Sequence, residues 1–212
     1  MITFKLILSI ILAYLIGSIP TSVWIGRMFY GVDVRTKGSK NAGATNTIRV
    51  LGYKAGIPVL IFDVLKGWFA VYIATYFWDG SLTFPDLLDL KIILAIAAVL
   101  GHVFPVYVGF KGGKGIATLL GIGIALYPVA ALIVVGIFIL VFVFTGYVSL
   151  SSIIASVAFP FVDILLLGHD KYITLIILAI AVGVFVPFIH RKNIKRLINK
   201  EESKFSFKNK NT

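Results

Sequence analysis

Long apolar runs, separated by short polar segments, dominate this chain of 212 residues. The longest, Ile116–Phe144, exceeds one comfortable membrane crossing, and runs of about twenty residues lie on either side of it. Hydrophobic residues make up 59% of the chain and charged residues 14%, with a mean hydropathy of +1.00. A soluble core of this length does not require such a composition. The sequence therefore predicts an all-α integral membrane protein.

The apolar runs predict seven transmembrane helices when they are scanned with a window of about twenty residues. The first run lacks a small-x-small cleavage site, so we interpret it as a retained helix rather than a signal peptide. The longest run is divided at Tyr127 and Pro128. The predicted spans are Leu6–Ile25, Pro58–Trp78, Ile92–Val108, the two parts of Ile116–Phe144, Tyr147–Leu167 and Tyr172–Ile189. Residues 1–192 form the predicted membrane domain, and residues 193–212 form a basic tail.

Charge is distributed unequally between the two sets of predicted loops. One set carries most of the basic residues: Arg27, Arg35, Lys37, Lys40, Arg49, Lys54, Lys111, Lys114 and eight more in the tail. The other set carries mainly acidic residues: Asp79, Asp86, Asp89 and Asp170, with Lys91 and Lys171. Because cytoplasmic loops are enriched in Lys and Arg, the amino terminus is predicted outside and the carboxy terminus in the cytoplasm. The predicted location is therefore a membrane, which the chain crosses several times.

The net charge of +11 indicates the kind of partner. These charges lie between and after the apolar runs, where anionic lipid heads or phosphorylated ligands would meet them. A lipid bilayer is therefore expected as a partner, a nucleic acid is not, and the sequence does not define an oligomeric partner. Cysteine is absent, which excludes disulfides and thiolate metal sites.

The segment FKGGKG, residues 110–115, joins two apolar runs. Gly112, Gly113 and Gly115 allow positive φ angles and a close approach of the backbone to a ligand, while Lys111 and Lys114 supply positive charge. If a helix begins just after this segment, its first N–H groups and its dipole favour an anion at the same place. The pattern is typical of a phosphate site. His102 lies shortly before it, near the end of the third span.

The polar segment TKGSKNAGATNTIR, residues 36–49, consists mainly of small, hydroxyl and amide residues. Backbone N–H groups and side-chain donors can converge on an anion there, with Lys40 and Arg49 adding charge. The alternative is an ordinary basic cytoplasmic loop. The small number of large side chains favours close packing against a small ligand.

Asp63 and Lys66, in the segment DVLKG, stand three residues apart inside the second span. This spacing places both side chains on one helix face, where they can neutralise each other. The two residues either form a purely structural ion pair or take part in the site, and the sequence leaves both interpretations open. In either case neither residue should face lipid.

Two further polar segments have competing interpretations. The serines of YVSLSSI, residues 147–153, are candidate ligands, but hydroxyls within membranes commonly bond back to helix carbonyls. The segment HRKNIKRL, residues 190–197, is a candidate anion site or a basic helix that only touches anionic lipid.

These motifs, in this order, resemble the bacterial membrane glycerol-3-phosphate acyltransferases that use acyl phosphate as the donor. The resemblance covers the chain up to about residue 204 and rests on GSKNAGATNTIR, DVLKG, GHVFPVYVGFKGGKGIAT, VSLSSI and HRKNIKRL. It implies seven membrane helices, a cytoplasmic active site, the formation of lysophosphatidic acid for phospholipid synthesis, and no metal or other cofactor. The chain departs from the family pattern at Lys200, where a glycine is expected before the tail acids Glu201 and Glu202.

The resemblance also implies site residues. The expected partners are acyl phosphate and glycerol 3-phosphate, whose negative charges repel each other unless cationic and N–H donors offset the repulsion. Around acyl phosphate we expect Ser39, Arg49, Lys114 and Ser151, with the glycine turn Gly112, Gly113 and Gly115 supplying N–H donors. For glycerol 3-phosphate we expect Lys111, His190 and Asn193, with Asn41, Asn46 and Ser152 as secondary candidates. Asp63, Lys66 and His102 are assigned to the site or to its support.

The general base stays open at this point. No His has an Asp four positions after it, so the base is either His190 or a phosphate of the substrate. Ser39 or Ser151 as a nucleophile is a minor alternative, since neither has an evident adjacent base.

Two other classes of protein remain as alternatives. An anion transporter would also have glycine-rich basic segments, although it commonly shows a duplicated half, and a purely structural membrane protein would not collect Gly, Ser, Asn and Lys at one face.

Overall fold

The computed structural model describes residues 2–78, 80, 86–168 and 172–205. Within those ranges every regular element is helical, as the sequence predicts. Asp79, Asp170 and Lys171, which contributed to the predicted orientation, lie outside the described residues. The chain forms two compact units, Met1–Leu126 and Tyr127–Thr212.

The first unit contains seven α-helices in its described ranges. They are α1 (Ile2–Ser18), α2 (Thr21–Tyr30), α3 (Ala44–Leu51), α4 (Tyr53–Tyr72), α5 (Ala74–Phe77), α6 (Leu87–Val103) and α7 (Ile116–Leu126), with single 3-10 turns at Val34–Thr36 and Val106–Val108. The second unit contains α8 (Pro128–Thr145), α9 (Val148–Phe161), which continues into a π-helical turn at Val162–Leu166, α10 (Ile173–Ile189) and α11 (Arg191–Ile198). The predicted boundary between residues 192 and 193 falls inside α11.

The first predicted span, Leu6–Ile25, is not one continuous helix. Helix α1 ends at Ser18 and α2 starts at Thr21, and the two are bent by 43°. Pro20 stands in the break. Proline has no N–H to continue the helical ladder, and it disfavours helical geometry in the residue before it, so the helix ends here.

Four helical segments are long and apolar enough to cross a membrane, and up to six are if each bent pair is counted as one span. The four are Tyr53–Phe77, Leu87–Val108, Pro128–Thr145 and Val148–Leu166. The bent pairs are α1 with α2, and α10 with α11, which meet at 58°. An integral membrane protein with several crossings agrees with the sequence, while the number seven stays a prediction.

The division of the longest apolar run is confirmed at the residues that the sequence indicates. Helix α7 ends at Leu126 and α8 begins at Pro128, which suits the first position of a helix. Helix α7 has only 11 residues. At the usual rise it is about 16 Å long, roughly half of the hydrocarbon thickness.

Small residues allow the helices of the first unit to pack closely. A Cβ atom at Gly67 of α4 would collide with the carbonyl of Thr118, and one at Gly121 of α7 would collide with the carbonyl of Val64. The two glycines therefore face each other across the α4–α7 contact. Because lipid tails are as apolar as the side chains, such close backbone packing is a main source of attraction between membrane helices.

Tyr127 anchors the second unit at the start of α8. Its hydroxyl donates to the carbonyl of Leu175 on α10 at 2.7 Å, and its ring packs edge-on against Phe159 of α9 with centroids 5.0 Å apart. A buried tyrosine needs a partner for its hydroxyl, and this one finds it on a neighbouring helix. The residue that separates α7 from α8 thus ties α8, α9 and α10 together.

Replacing Gly121 with Ala should lower the melting temperature, because the new methyl group has no room beside the Val64 carbonyl. Overpacking of this kind costs about 1–3 kcal/mol, more than the roughly 1 kcal/mol that Ala gains over Gly within a helix. The measurement is thermal unfolding of the purified protein in detergent. Gly136→Ala is the matched control, since a Cβ there meets nothing within 4 Å. Equal melting temperatures for the two variants would contradict the packing argument.

Candidate active site

The glycine turn packs against the end of α6. The amides of Gly112 and Gly113 donate to the carbonyls of Val103 and His102, at 3.1 and 3.2 Å. We expected these two N–H groups to serve a ligand, but in the structure they close the end of α6 instead. Helix α7 begins at Ile116, directly after the turn as predicted, and the first N–H groups of a helix have no partner within it.

Gly113 also brings two distant motifs together. A Cβ atom at this position would collide with Nε2 of His102 and would lie 2.5 Å from the carbonyl oxygen of Ala42. Ala42 belongs to the segment GSKNAGATNTIR, so the two basic, glycine-rich segments are in direct contact. Only glycine fits at this position, because any side chain would push the two segments apart.

A buried ion pair lies inside the first unit. Nζ of Lys66 is 2.8 Å from Oδ1 of Asp63, and the two residues are 7% and 2% exposed. The predicted pair is confirmed, and both residues are buried. Thr21 donates to Asp63 at 3.2 Å, and Lys66 donates to the carbonyl of Ile19 at 2.9 Å. The pair therefore satisfies backbone and side-chain groups at the break between α1 and α2.

His102 occupies the space between the ion pair and the glycine turn. Its Nδ1 atom lies 3.2 Å from the hydroxyl of Thr118 and 3.8 Å from Oδ1 of Asp63, the second distance being too long for a hydrogen bond. The ring is buried, with Nε2 directed at Gly113. His102 thus packs directly against the glycine turn. The sequence did not identify Thr118 as its hydrogen-bond partner.

Asn46 holds the shape of the segment before α3. Its Oδ1 atom accepts from the amide of Ser39 at 2.8 Å, while Nδ2 donates to the carbonyls of Val34 and Lys37 at 2.8 and 3.2 Å. The side chain is fully buried. Asn46 was predicted as a secondary substrate ligand, whereas its observed bonds fold the loop that presents Ser39.

The predicted ligands of the first unit differ in exposure. Ser39, Arg49 and Lys111 are exposed, Asn41 and Lys114 are half-buried, and Gly115 is buried with φ of 76°. Arg49 lies beside the Ser39 loop, since a Cβ at Gly38 would be 3.5 Å from its Cδ atom. The loop, α3 and the glycine turn thus present hydroxyl, guanidinium and ammonium groups from one contiguous region.

Arg35 links the segment before α3 to the segment before the glycine turn. The sequence analysis used this residue only as one of the basic residues that indicate orientation. Its Nη1 atom donates to the carbonyls of Val108 and Lys111 at 3.0 and 3.2 Å. Asp33 accepts from Nη2 of Arg35 and from Arg27, both at 2.8 Å. The hydrogen bond from Arg35 outweighs the effect of burial and holds the pKa of Asp33 well below its usual range.

The second unit has its own polar cluster, centred on Glu202. Oε1 accepts from the hydroxyl of Ser149 at 2.7 Å and from Nδ2 of Asn193 at 2.6 Å, while Oε2 accepts from Nε of Arg196 at 2.6 Å. Burial by itself raises the pKa of Glu202, but these hydrogen bonds outweigh it and lower the pKa. The sequence identified Asn193 as a ligand and left the role of Glu202 open.

The other predicted ligands of the second unit bond to nearby backbone. Ser151 and Ser152 donate to the carbonyls of Tyr147 and Val148, at 2.8 and 2.9 Å, which agrees with the structural alternative for these hydroxyls. His190 is buried, and its Nδ1 atom lies 2.9 Å from the carbonyl of Val186. In the described ranges no group of three His, Asp or Glu side chains is arranged to hold a metal ion.

Comparison with known proteins gives a consistent family assignment. Residues 7–200 match the model of a family described as glycerol-3-phosphate acyltransferase. A relative of that description from Fusobacterium nucleatum is 50% identical over 93% of this chain and 97% of its own. Another, from Chlorobaculum tepidum, is 42% identical over the full length of both chains.

Two solved structures share the fold. Both are crystal structures of PlsY, an integral membrane glycerol 3-phosphate acyltransferase, one in its glycerol 3-phosphate form and one in its lysophosphatidic acid form. Each is 36% identical to this chain, with TM-scores of 0.83 and 0.79. The alignments cover 95% of this chain, and 96% and 95% of the respective neighbours.

Asp33 predicts a pH dependence of stability. Because its pKa lies below the ordinary value of 3.8, its ion pairs contribute fully above that pH and are lost as the pH falls through the lowered pKa. The difference in melting temperature between the wild-type protein and Asp33→Asn should be constant between about pH 5 and 8 and shrink below about pH 4. A difference that stays unchanged down to pH 3 would contradict this assignment.

Proposed function

The chain belongs to the glycerol-3-phosphate acyltransferase family, and we propose that it transfers a fatty acyl group from acyl phosphate to the sn-1 hydroxyl of glycerol 3-phosphate. The products are lysophosphatidic acid and inorganic phosphate, and the reaction serves phospholipid synthesis. The partners of the protein are these two substrates and the lipid bilayer.

One observation of the structure carries this proposal, namely the contact between Gly113 and the Ala42 carbonyl. It joins two segments that are far apart in sequence and that are both rich in small and basic residues. Two basic loops in direct contact repel each other, so a functional reason for the contact is an anion that both can bind. Both proposed substrates carry phosphoryl groups, and the proposed products are a phosphate ester and inorganic phosphate.

The chemistry requires little beyond binding and charge stabilisation. The hydroxyl oxygen of glycerol 3-phosphate attacks the carbonyl carbon of acyl phosphate and forms the new ester bond. The bond from that carbon to the phosphate oxygen breaks, and the phosphate leaves with the bonding electron pair. The proton of the hydroxyl passes to a base and ends on inorganic phosphate. Acyl phosphate is a mixed anhydride, so the donor is already activated and no covalent acyl-enzyme is needed.

For acyl phosphate we assign Ser39, Arg49 and Lys114. The loop that Asn46 shapes presents Ser39, and Arg49 lies beside it on α3. Lys114 follows Gly113 directly, so the position of the turn on His102 determines where its ammonium group can reach. Cationic donors held in place in this way stabilise the charge that develops on the departing phosphate.

For glycerol 3-phosphate we assign Lys111, His190 and Asn193. The carbonyl of Val186 can only accept a hydrogen bond, so Nδ1 of His190 carries the proton and Nε2 is the basic nitrogen of the neutral ring. This tautomer suits a base that takes the hydroxyl proton through Nε2. A phosphate of the substrate remains the alternative base. Asn41 and Ser152 are secondary candidates for this substrate, and Ser151 remains a candidate for acyl phosphate. The two serines would first have to leave their helix carbonyls.

A direct assay tests the proposal against the transport alternative. Purified protein is given palmitoyl phosphate and glycerol 3-phosphate, and inorganic phosphate and lysophosphatidic acid are measured. The proposal requires both products in equal amounts, with no product when palmitoyl-CoA replaces palmitoyl phosphate. Movement of labelled glycerol 3-phosphate into liposomes without ester formation would instead indicate a carrier.

Lys114→Ala should abolish turnover while leaving the folded yield intact, because the ammonium group stabilises the departing phosphate. The measurement is phosphate release under saturating substrates, with size-exclusion chromatography as the check on folding. Lys54→Ala is the matched control, since Lys54 is an exposed basic residue of the same unit that has no assigned role. Wild-type turnover in Lys114→Ala would remove Lys114 from the mechanism.

The proposed location is the bacterial inner membrane, with the site facing the cytoplasm. Single cysteines introduced at Arg49 and Lys114 of this cysteine-free chain should both react with an impermeant maleimide only after the cells are opened. Lys91, predicted in the outer loop, lies inside α6, so the outer position is the exposed Asp86 just before that helix; a cysteine there should react in intact cells. Labelling of Arg49 and Lys114 positions from opposite sides would refute the proposed arrangement.

A further inference from the structure

The segment that leads into the glycine turn contains two consecutive residues in the left-handed region. Gly109 has φ of 69° and Phe110 has φ of 59°. Glycine adopts this conformation freely, whereas a residue with a large side chain does so only under constraint from its surroundings. The side chain of Phe110 is 58% exposed, so its own packing does not supply that constraint. Hydrogen bonds to the neighbouring backbone must supply it.

Arg35 bonds to the backbone on both sides of this left-handed pair. Its Nη1 atom donates to the carbonyl of Val108, directly before the pair, at 3.0 Å, and to the carbonyl of Lys111, directly after it, at 3.2 Å. One guanidinium nitrogen thus holds the two flanking carbonyls at a fixed separation. The segment cannot relax to an extended conformation without breaking at least one of these bonds.

The peptide group between Lys111 and Gly112 is held at both of its edges. Its carbonyl accepts from Arg35, and its N–H donates to the carbonyl of Val103 at 3.1 Å. Because a peptide group is planar, two bonds on opposite edges fix its orientation. They therefore restrict the direction in which the side chain of Lys111 leaves the backbone, although the rest of that side chain is exposed.

Arg35 is itself held in place by its own turn. Its Nε and Nη2 atoms donate to the two carboxylate oxygens of Asp33, at 3.0 and 2.8 Å, and its backbone amide donates to Oδ1 at 3.0 Å. Val34, between the two, is fully buried, and its carbonyl accepts from Asn46 at 2.8 Å. The guanidinium group is therefore anchored to the loop that presents Ser39.

We propose that Arg35 is a positioning residue for glycerol 3-phosphate: by holding the carbonyls of Val108 and Lys111, it sets the place at which the ammonium group of Lys111 meets the phosphate of the substrate. The inference rests on the proposed function, because Lys111 is assigned there to this substrate. Arg35 does not touch the substrate, since its side chain is 18% exposed and Nε, Nη1 and Nη2 all bond within the protein.

The alternative is that Arg35 only adds positive charge near an anionic substrate. A lysine at this position separates the two roles. Its ammonium group keeps the charge, but it is a compact point charge that cannot reproduce the planar guanidinium contacts with Asp33 and both carbonyls. Arg27→Lys is the matched control. Arg27 pairs with the same carboxylate at 2.8 Å, its side chain is 56% exposed, and it has no assigned role in the site.

Arg35→Lys should raise the KM for glycerol 3-phosphate by about tenfold, because the ammonium group of Lys111 is no longer held where the phosphate binds. The KM for palmitoyl phosphate should stay within about twofold of the wild-type value, since Lys114 follows the part of the turn that rests on His102. Arg27→Lys should match the wild type in both constants. The measurement is steady-state phosphate release with each substrate varied in turn.

A double-mutant cycle with Lys111→Ala tests whether Arg35 acts through Lys111. If it does, adding Arg35→Lys to Lys111→Ala should change the KM for glycerol 3-phosphate little further. The inference is overturned by fully additive effects, by wild-type kinetics of Arg35→Lys, by an equal rise in both KM values, or by a lower folded yield with normal kinetics of the folded fraction.

If Arg35→Lys gives no folded protein, Arg35→Gln and Arg27→Gln are compared in the same way, because the glutamine amide can still donate to one carbonyl. A wild-type protein without activity would count against the proposed function, whereas an active wild-type protein with any of the results above would count against the role of Arg35 alone.

Discussion

The ion pair between Asp63 and Lys66 is the contact on which the architecture of the first unit depends. Charged groups within a membrane span are tolerated only when they are paired and fully hydrogen-bonded. Here each partner also takes a group from the break between α1 and α2, the Thr21 hydroxyl for Asp63 and the Ile19 carbonyl for Lys66. A proline break that would otherwise expose polar backbone to lipid is thereby made part of the core.

Direct contacts connect the ion pair in α4 to the loops of the candidate site. His102 lies near the ion pair on one side and touches Gly113 on the other, and Gly113 in turn touches Ala42. Arg35 adds a second link by binding two carbonyls of the segment before the glycine turn. The glycines of this region thus serve packing between segments, and the exposed Ser39, Arg49 and Lys111 are presented by segments that contact one another directly.

The features that could be predicted from the sequence are those that depend on neighbours along the chain. Hydropathy indicated the long apolar helices, although not the break at Pro20. Tyr127 and Pro128 marked the division of the longest run, and the spacing of three residues paired Asp63 with Lys66. The local alternative also held for Ser151, whose hydroxyl bonds to a carbonyl four residues earlier. The family resemblance added the order of the motifs and the class of substrate.

The features that could not be predicted join residues far apart. Arg35 and Val108 are separated by 73 positions, and Ser149 and Glu202 by 53. No periodicity connects such pairs, because their contact depends on the path of the whole chain. The amides of Gly112 and Gly113 were expected to serve a ligand for a different reason: their partners on α6 are close in sequence, but the irregular turn between them has no pattern that reveals its path.

The short length of α7 has a consequence for how two very different molecules could meet. Thr118, in its first turn, touches Gly67 in the second half of α4, so the start of α7 lies partway along the candidate span Tyr53–Phe77 rather than at its end. Lys111 and Lys114 belong to the segment that leads to this start. An amphiphilic donor whose acyl chain lies in the bilayer would then not have to leave the membrane. The hydrophilic reactant would instead move, with its water, to the depth at which the carbonyl carbon of that donor lies.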